Sequence, residues 1–223
     1  MKEKYAMKKI FKVVWVLLMA LMLTASFVGC AAITGIKGYK GTEGLDYYPL
    51  PDGTYGVKMG TAQYLEEVTI PATYNGKAVT KILDSAFFDA VNLKIIHIPN
   101  SITSIGELAF AGCSSLTSVT IPNSVTSIDY GAFGDCNNLR SITIPNGVTS
   151  IGDYVFENCR GLTSITISSS VTSIGDGALR YCTSLTDVYY TGSETDAEAI
   201  SFGSESDYLK NATWHYNYVP TEN

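Results

Sequence analysis

The sequence predicts a solenoid: a stack of 23-residue coils, mainly β with short helical or 3₁₀ turns, finished by a cap at each end. Three observations predict it. Cys113, Cys136, Cys159 and Cys182 recur every 23 residues. The same step separates Leu93, Leu116, Leu139, Leu162 and Leu185, and likewise Ile98, Ile121, Ile144 and Ile167. Phe87, Phe110, Phe133, Phe156 and Leu179 keep it as well. Columns held in phase mean that each coil buries its apolar residues against its neighbours rather than in a central core.

Composition is consistent with this and narrows the function classes. Of 223 residues, 15 are Lys or Arg and 21 Asp or Glu, giving a formal charge of −6 and a pI near 4.9. Nucleic-acid binding needs clustered cations on phosphates, so no nucleic-acid partner is expected. The 23 Thr and 21 Ser outnumber the charged residues, which makes the surface polar but mostly uncharged. Two histidines, His97 and His215, leave little material for acid–base chemistry or metal ligation.

At the amino end, Lys2, Lys4, Lys8, Lys9 and Lys12 precede an uncharged stretch from Val13 to Val28. A charged segment followed by an apolar one is the pattern of an export signal, expected over residues 1–29. It closes on Phe27-Val28-Gly29-Cys30, which resembles the lipobox of bacterial lipoproteins and implies lipidation at Cys30. An uncleaved anchor over Val13 to Ala32 and ordinary signal-peptidase cleavage are the other readings, and all three place the rest outside the cytoplasm. Residues 30–223 carry 10 basic and 20 acidic side chains, a net of −10. Gly35, Gly38, Gly41 and Gly44 punctuate a flexible tether expected over 30–44.

A capping hairpin is expected over 45–60, from Leu45 to Leu50 and Thr54 to Lys58 around the turn signal Pro51-Asp52-Gly53. The repeats follow over 61–190. Period-two patterns predict stacked strands at 65–70, 93–98, 116–121, 139–144, 162–167 and 185–190. Thr73 to Lys77 lengthens the turn after the first by five residues. In a typical unit, Pro122-Asn123 turns the chain, Val125 to Ile128 makes a second extended piece, and Asp129 to Gly134 carries Ala132 and Phe133 inward through one helical or 3₁₀ turn. A second cap over 191–223 is expected to hold short helices at Glu194 to Ile200 and Ser206 to Lys210, then a strand from Thr213 to Val219.

These units resemble leucine-rich repeats of the BspA-like class. The motif stands here as Ile121-Pro122-Asn123-Ser124-Val125-Thr126-Ser127-Ile128, then Ala132-Phe133, Cys136 and Leu139, and the resemblance covers about residues 45–219. Departures are Ala90 in the Cys column, Leu179 for Phe and Ser168 for Pro. The resemblance implies a cell-surface or secreted bacterial protein, with some relatives active in adhesion, and it carries over no catalytic residues.

Several constellations have more than one reading. The four repeat cysteines are expected as reduced, buried core residues, because cysteine packs as a small hydrophobe. Adjacent-coil disulfides or a zinc site are the alternatives. The outward strand positions form a ladder: Glu67 and Thr69, Ile95 and His97, Ser118 and Thr120, Ser141 and Thr143, Ser164 and Thr166, Asp187 and Tyr189. From Ile95 to Tyr189 these are the candidate ligand-binding residues, with the larger groups Ile95, His97, Asp187 and Tyr189 as grips. The plain alternative is that Ser and Thr merely suit an exposed strand. His215, in the cap strand, is read as structural. Asp129, Asp135, Asp153, Glu157 and Asp176 are read as solvated charges on the opposite side, ahead of a Ca²⁺ or glycosidase site. With one histidine on the repeats and no G-x-S-x-G elbow, no enzyme, cofactor or metal is expected. The leading expectation is a lipid-anchored surface module that binds a protein or glycan. The alternative is a structural envelope or spacer protein without a specific ligand.

Overall fold

A computed structural model describes residues 41–220 of the chain. The export signal, the lipobox and Cys30 lie outside the described residues. From Glu67 onward the chain winds as a sequence of strand, short strand and turn, repeated with the expected step. Coil 1 spans 67–94, coil 2 95–117, coil 3 118–140, coil 4 141–163 and coil 5 164–186.

The first strand of each coil has one side chain in and one out. Val68, Ile96, Val119, Ile142, Ile165 and Val188 form the inward column and are buried. Their strands pair in parallel: Glu67–Thr69 with Ile95–His97 and Ser118–Val119, then Ser141–Ile144 with Ser164–Ile167, Asp187–Tyr190 and Thr213–His215. The last of these adds a seventh strand to the six expected on the repeats. Short second strands, Ser104–Ile105, Ser127–Ile128, Ser150–Ile151 and Ser173–Ile174, stack on a second face.

The third face is made of turns. The expected helical or 3₁₀ piece is realised as overlapping i→i−3 bonds, such as Ala132 N to Asp129 O at 3.2 Å and Gly134 N to Gly131 O at 3.0 Å. Two left-handed columns interrupt it at the 23-residue step, Ser85, Leu108, Gly131, Tyr154 and Gly177 in one and Asp89, Gly112, Asp135, Asn158 and Tyr181 in the other. This geometry turns alternate amides toward the next coil, so Gly131 N, Phe133 N and Asp135 N donate to Asp153 O, Val155 O and Glu157 O. The turns are thereby stitched together as firmly as a strand ladder.

Between the faces lie the columns read from the sequence. Phe87, Phe110, Phe133 and Phe156 stack with centroids 5.1 to 5.6 Å apart and planes within 14°. Cys113, Cys136, Cys159 and Cys182 are buried free thiols. Each Sγ donates to the carbonyl of a Phe in the preceding coil, at 3.1 to 3.3 Å. Burial pushes the Cys113 thiol up to about 12, and the neighbouring Cys159 thiol, with burial, raises Cys136. Ala90 and Leu179, the departures in these columns, are buried like the residues they replace. Ser168 is buried and satisfied, bonding Asn146 Oδ1 at 2.5 Å.

Hydroxyls hold the coils together in a way the strand pattern did not suggest. Ser101, Ser124 and Ser170 each donate to the carbonyl of a residue 22 positions earlier, all at 2.7 Å. Thr103, Thr126 and Thr172 do the same to residues 23 positions earlier. Asp153 and Asp176, expected as solvated charges, also join coils. Their carboxylates accept from Asp176 N and Ser204 N at 2.8 and 2.6 Å. The Ser204 amide and hydroxyl hold the Asp176 carboxyl below the usual carboxylate range.

One junction differs. No strand pairing joins coil 3 to coil 4 on either strand face, while the turn ladder and the Phe133–Phe156 stack continue across it. Gly147 stands in the Ser101, Ser124 and Ser170 column and supplies no hydroxyl; a Cβ there would collide with Val125 O.

At the front, Asp46–Pro49 and Tyr55–Lys58 form the expected antiparallel hairpin. Gly53, with φ of 84°, makes its turn, and Tyr55–Lys58 then joins Lys77–Ile82 in parallel. The packed chain reaches into the stretch read as a tether, since Thr42 N donates to Thr69 O at 2.9 Å. The long first turn is a small hairpin, Thr73–Tyr74 against Lys77–Ala78, with Asn75 and Gly76 both left-handed. At the back, helices occupy Glu194–Glu198 and Asp207–Asn211. Ser193 and Asp196 form a capping box on the first helix. The last strand stops at His215 rather than Val219.

Candidate binding face

The parallel register aligns the sequence-read ladder within two sheets, one from Glu67 to Val119 and one from Ser141 to His215, which follow one another along the same series of first strands. Ile95 pairs with Glu67 and Ser118, Ser141 with Ser164, and Ser164 with Asp187. The neighbouring outward column runs from Thr69 and His97 at one end to Thr166, Tyr189 and His215 at the other. Ile95, His97, Ser118, Thr120, Ser141 and Thr143 are exposed; Ser164, Thr166, Asp187 and Tyr189 are half-buried.

Hydrogen bonding separates these hydroxyls from those that join coils. The hydroxyls of Ser118, Thr120, Ser141, Thr143, Ser164 and Thr166 bond to no protein group, whereas those of Ser101, Ser124, Ser170 and their threonine companions are spent on carbonyls. Six outward hydroxyls therefore keep both donor and acceptor capacity unused.

A histidine–carboxylate pair stands at each end of this row. His97 Nε2 lies 2.7 Å from Glu67 Oε1, and His215 Nε2 lies 2.8 Å from Asp187 Oδ1. Tyr189 stacks on His215, centroids 4.7 Å apart at 16°, and meets Tyr218 at the same distance. The His215 bond, followed by that from Thr186, holds the Asp187 carboxyl below its ordinary range. His215 is thus part of the face, not only of the strand that follows the repeats. The signal for it was present in Asp187-Val188-Tyr189 and Thr213-Trp214-His215, two segments that pair residue for residue. Among the described residues, no cluster of three His, Cys, Asp or Glu side chains fits a metal ion. The arrangement can donate, accept and stack.

A family model for the BspA type leucine rich repeat region matches residues 62–210 in six copies. The chain belongs to the BspA-type leucine-rich repeat family. This BspA-type protein is similar to a leucine rich cell surface protein from Faecalibacterium prausnitzii, at 27% identity and a TM-score of 0.60. That match covers 79% of this chain and 54% of the other, so the chain spans about half the length of that relative. A leucine-rich repeat protein of T. pallidum shares the fold at 22% identity and a TM-score of 0.57, over 73% of this chain and 84% of that one. The pneumococcal vaccine antigen PcpA shares it at 18% identity and 0.54, over 78% and 48%. Curated protein sequences contain no significant match. BspA-type repeats are of the bacterial surface type, generally protein-interaction modules and typically non-catalytic. Among the described residues, no helix is long and apolar enough to cross a membrane.

Proposed function

We propose that this BspA-type protein is a non-catalytic surface binding or adhesion module that engages a protein or glycan ligand through the first strand face. The observation that carries this reading is the row of six unbonded hydroxyls bracketed by the Glu67–His97 and Asp187–His215 pairs. A stack of parallel strands spends its backbone groups on itself, so recognition falls to the outward side chains. Here those side chains offer neutral hydrogen bonding in the centre and charged, aromatic groups at the ends. Attachment through a lipid on Cys30, after removal of 1–29, would present this face outside the cell.

An array of host matrix proteins and glycans, probed with the protein and with a His97→Ser, Tyr189→Ser double variant, tests the reading. Binding by the protein that the double variant loses supports it. A uniformly blank array favours a structural envelope role instead. Attachment is tested separately: Cys30→Ala is expected to move the protein from the detergent phase to the aqueous phase in a phase-partition assay.

A further inference from the structure

On the turn face, away from the strand face, a groove of about 250 Å³ crosses coils 1 to 4. Its walls are the rings of Phe88, Tyr130 and Tyr154 and the side chain of Leu108, over a floor of Gly112, Gly131 and Gly134. Phe88 and Tyr130 are 45% and 48% exposed. Tyr130 and Tyr154 stand 5.5 Å apart at 60°, forming a V. The volume is below that of ordinary small-molecule pockets and suits one long side chain.

Comparison of the coils with one another shows that this groove is made at a structural cost. Residues 84, 107, 130, 153 and 176 share one position, and four of them are acids. Asp84, Asp153 and Asp176 use that position to accept a backbone N–H from the next coil. Tyr130 gives up this bond and exposes a ring instead. Leu108 and Tyr154, at φ of 52° and 56°, occupy a left-handed column that the small residues Ser85, Gly131 and Gly177 fill elsewhere, and bulky L side chains are rarely found in that conformation. Gly131 leaves room for Leu108, and Gly112 leaves room for the Asp89 carboxylate. A lost inter-coil bond and two strained side chains thus meet in one place.

Charge identifies the occupant. Asp89, Asp135 and Glu157 line the groove and no cation does. The Asp89 carboxylate makes no hydrogen bond or ion pair, Asp135 accepts from Asn158 Nδ2, and Glu157 is only loosely held by Arg180 at 3.7 Å. Aromatic faces together with carboxylates attract a desolvated organic cation. We propose that this groove docks a lysine or arginine side chain carried on an extended basic segment of a partner protein. This second surface does not depend on the strand face having a ligand.

Fluorescence anisotropy with labelled deca-lysine and deca-arginine peptides, and deca-glutamate as control, tests it on the intact protein at physiological salt. Saturable binding of a basic peptide is expected. Tyr130→Asp restores the acid at that position, so the variant is expected to melt no lower than the parent and to bind at least about tenfold more weakly. Tyr154→Gly relieves the left-handed strain and is expected to weaken binding similarly, which covers any failure of the first variant to fold. The His97→Ser, Tyr189→Ser double variant is expected to bind the peptide unchanged. Absence of peptide binding would overturn the proposal. So would unchanged or stronger binding by Tyr130→Asp, the result expected of general attraction to an acidic chain, or loss of binding in the strand-face double variant.

Discussion

His215 stands to Asp187 as His97 stands to Glu67: each histidine lies two residues beyond the strand partner of its acid and reaches diagonally back to it. Asp187 pairs with Thr213 and Glu67 with Ile95, and the Nε2 to carboxylate distances are 2.8 and 2.7 Å. The repeat spacing does not impose this symmetry, because neither acid belongs to the Ser/Thr pattern between them.

The first prediction concerns acid. The Asp187 carboxyl is held below its ordinary range chiefly by His215, so its contribution to folding is present above the unfolded carboxylate pKa and lost as pH falls through the folded one. Asp176 and Asp196 shift the same way, through Ser204 and Ser193. Thermal melts should therefore be nearly flat above about pH 5 and fall below about pH 4. The gap between the parent and Asp187→Asn should be full at pH 7 and shrink on acidification; a gap that widens in acid would contradict the assignment.

The second concerns the core. Four buried thiols, each donating to a carbonyl and with those of Cys113 and Cys182 raised by burial, should resist a thiol reagent in the native state and react together on unfolding. Phe133→Ala removes a ring stacked on both sides and should cost about 3–5 kcal/mol in urea unfolding. Rapid native-state labelling of Cys136 or Cys159 would show that the column is open.

A third separates the two kinds of hydroxyl. Ser170→Ala removes a bond to Val148 O and should destabilise by about 0.5–1.5 kcal/mol. Ser164→Ala, on the strand face, bonds nothing and should fall within about 0.5 kcal/mol of the parent. Equal costs would mean that the face hydroxyls are structural.

Much of this architecture was legible because a repeat states its packing several times. Any column that must be apolar is apolar in four or five copies, so the strands, the Phe stack and the buried cysteines could be read without coordinates. The ends and the bonds between coils were harder. Nothing in the spacing of Ser124 distinguishes a hydroxyl that bonds Ile102 O from one, such as Ser118, that faces water. That depends on where the side chain lies relative to a neighbouring carbonyl. The role of Asp153 was missed for the same reason: an acid on a turn looks solvated until the amide of Asp176 is placed beneath it. His215 is not marked by the repeat, because the 23-residue step ends before it while the strand ladder continues by one more strand.

The fourth prediction follows from the break between coils 3 and 4. The strands Ser141–Ile144 and Ser150–Ile151 pair only toward coil 5, and Gly147 offers no hydroxyl toward coil 3. Hydrogen exchange should be about tenfold or more faster across 141–151 than across the equivalent 164–174, with the turn residues 131–136 protected. Uniform protection along the solenoid would rule out a weak junction.

The central claim is that the strand face recognises a ligand, and its most direct measurement uses the first ligand found on the protein and glycan array. Affinity of the parent should be compared with that of Tyr189→Ser, His97→Ser, and a Thr143→Val, Thr166→Val pair. The account predicts a loss of about tenfold or more in at least one end variant, and a further loss on removing the central hydroxyls, each measured below the melting temperature of the variant. Binding that none of these substitutions weakens would contradict it.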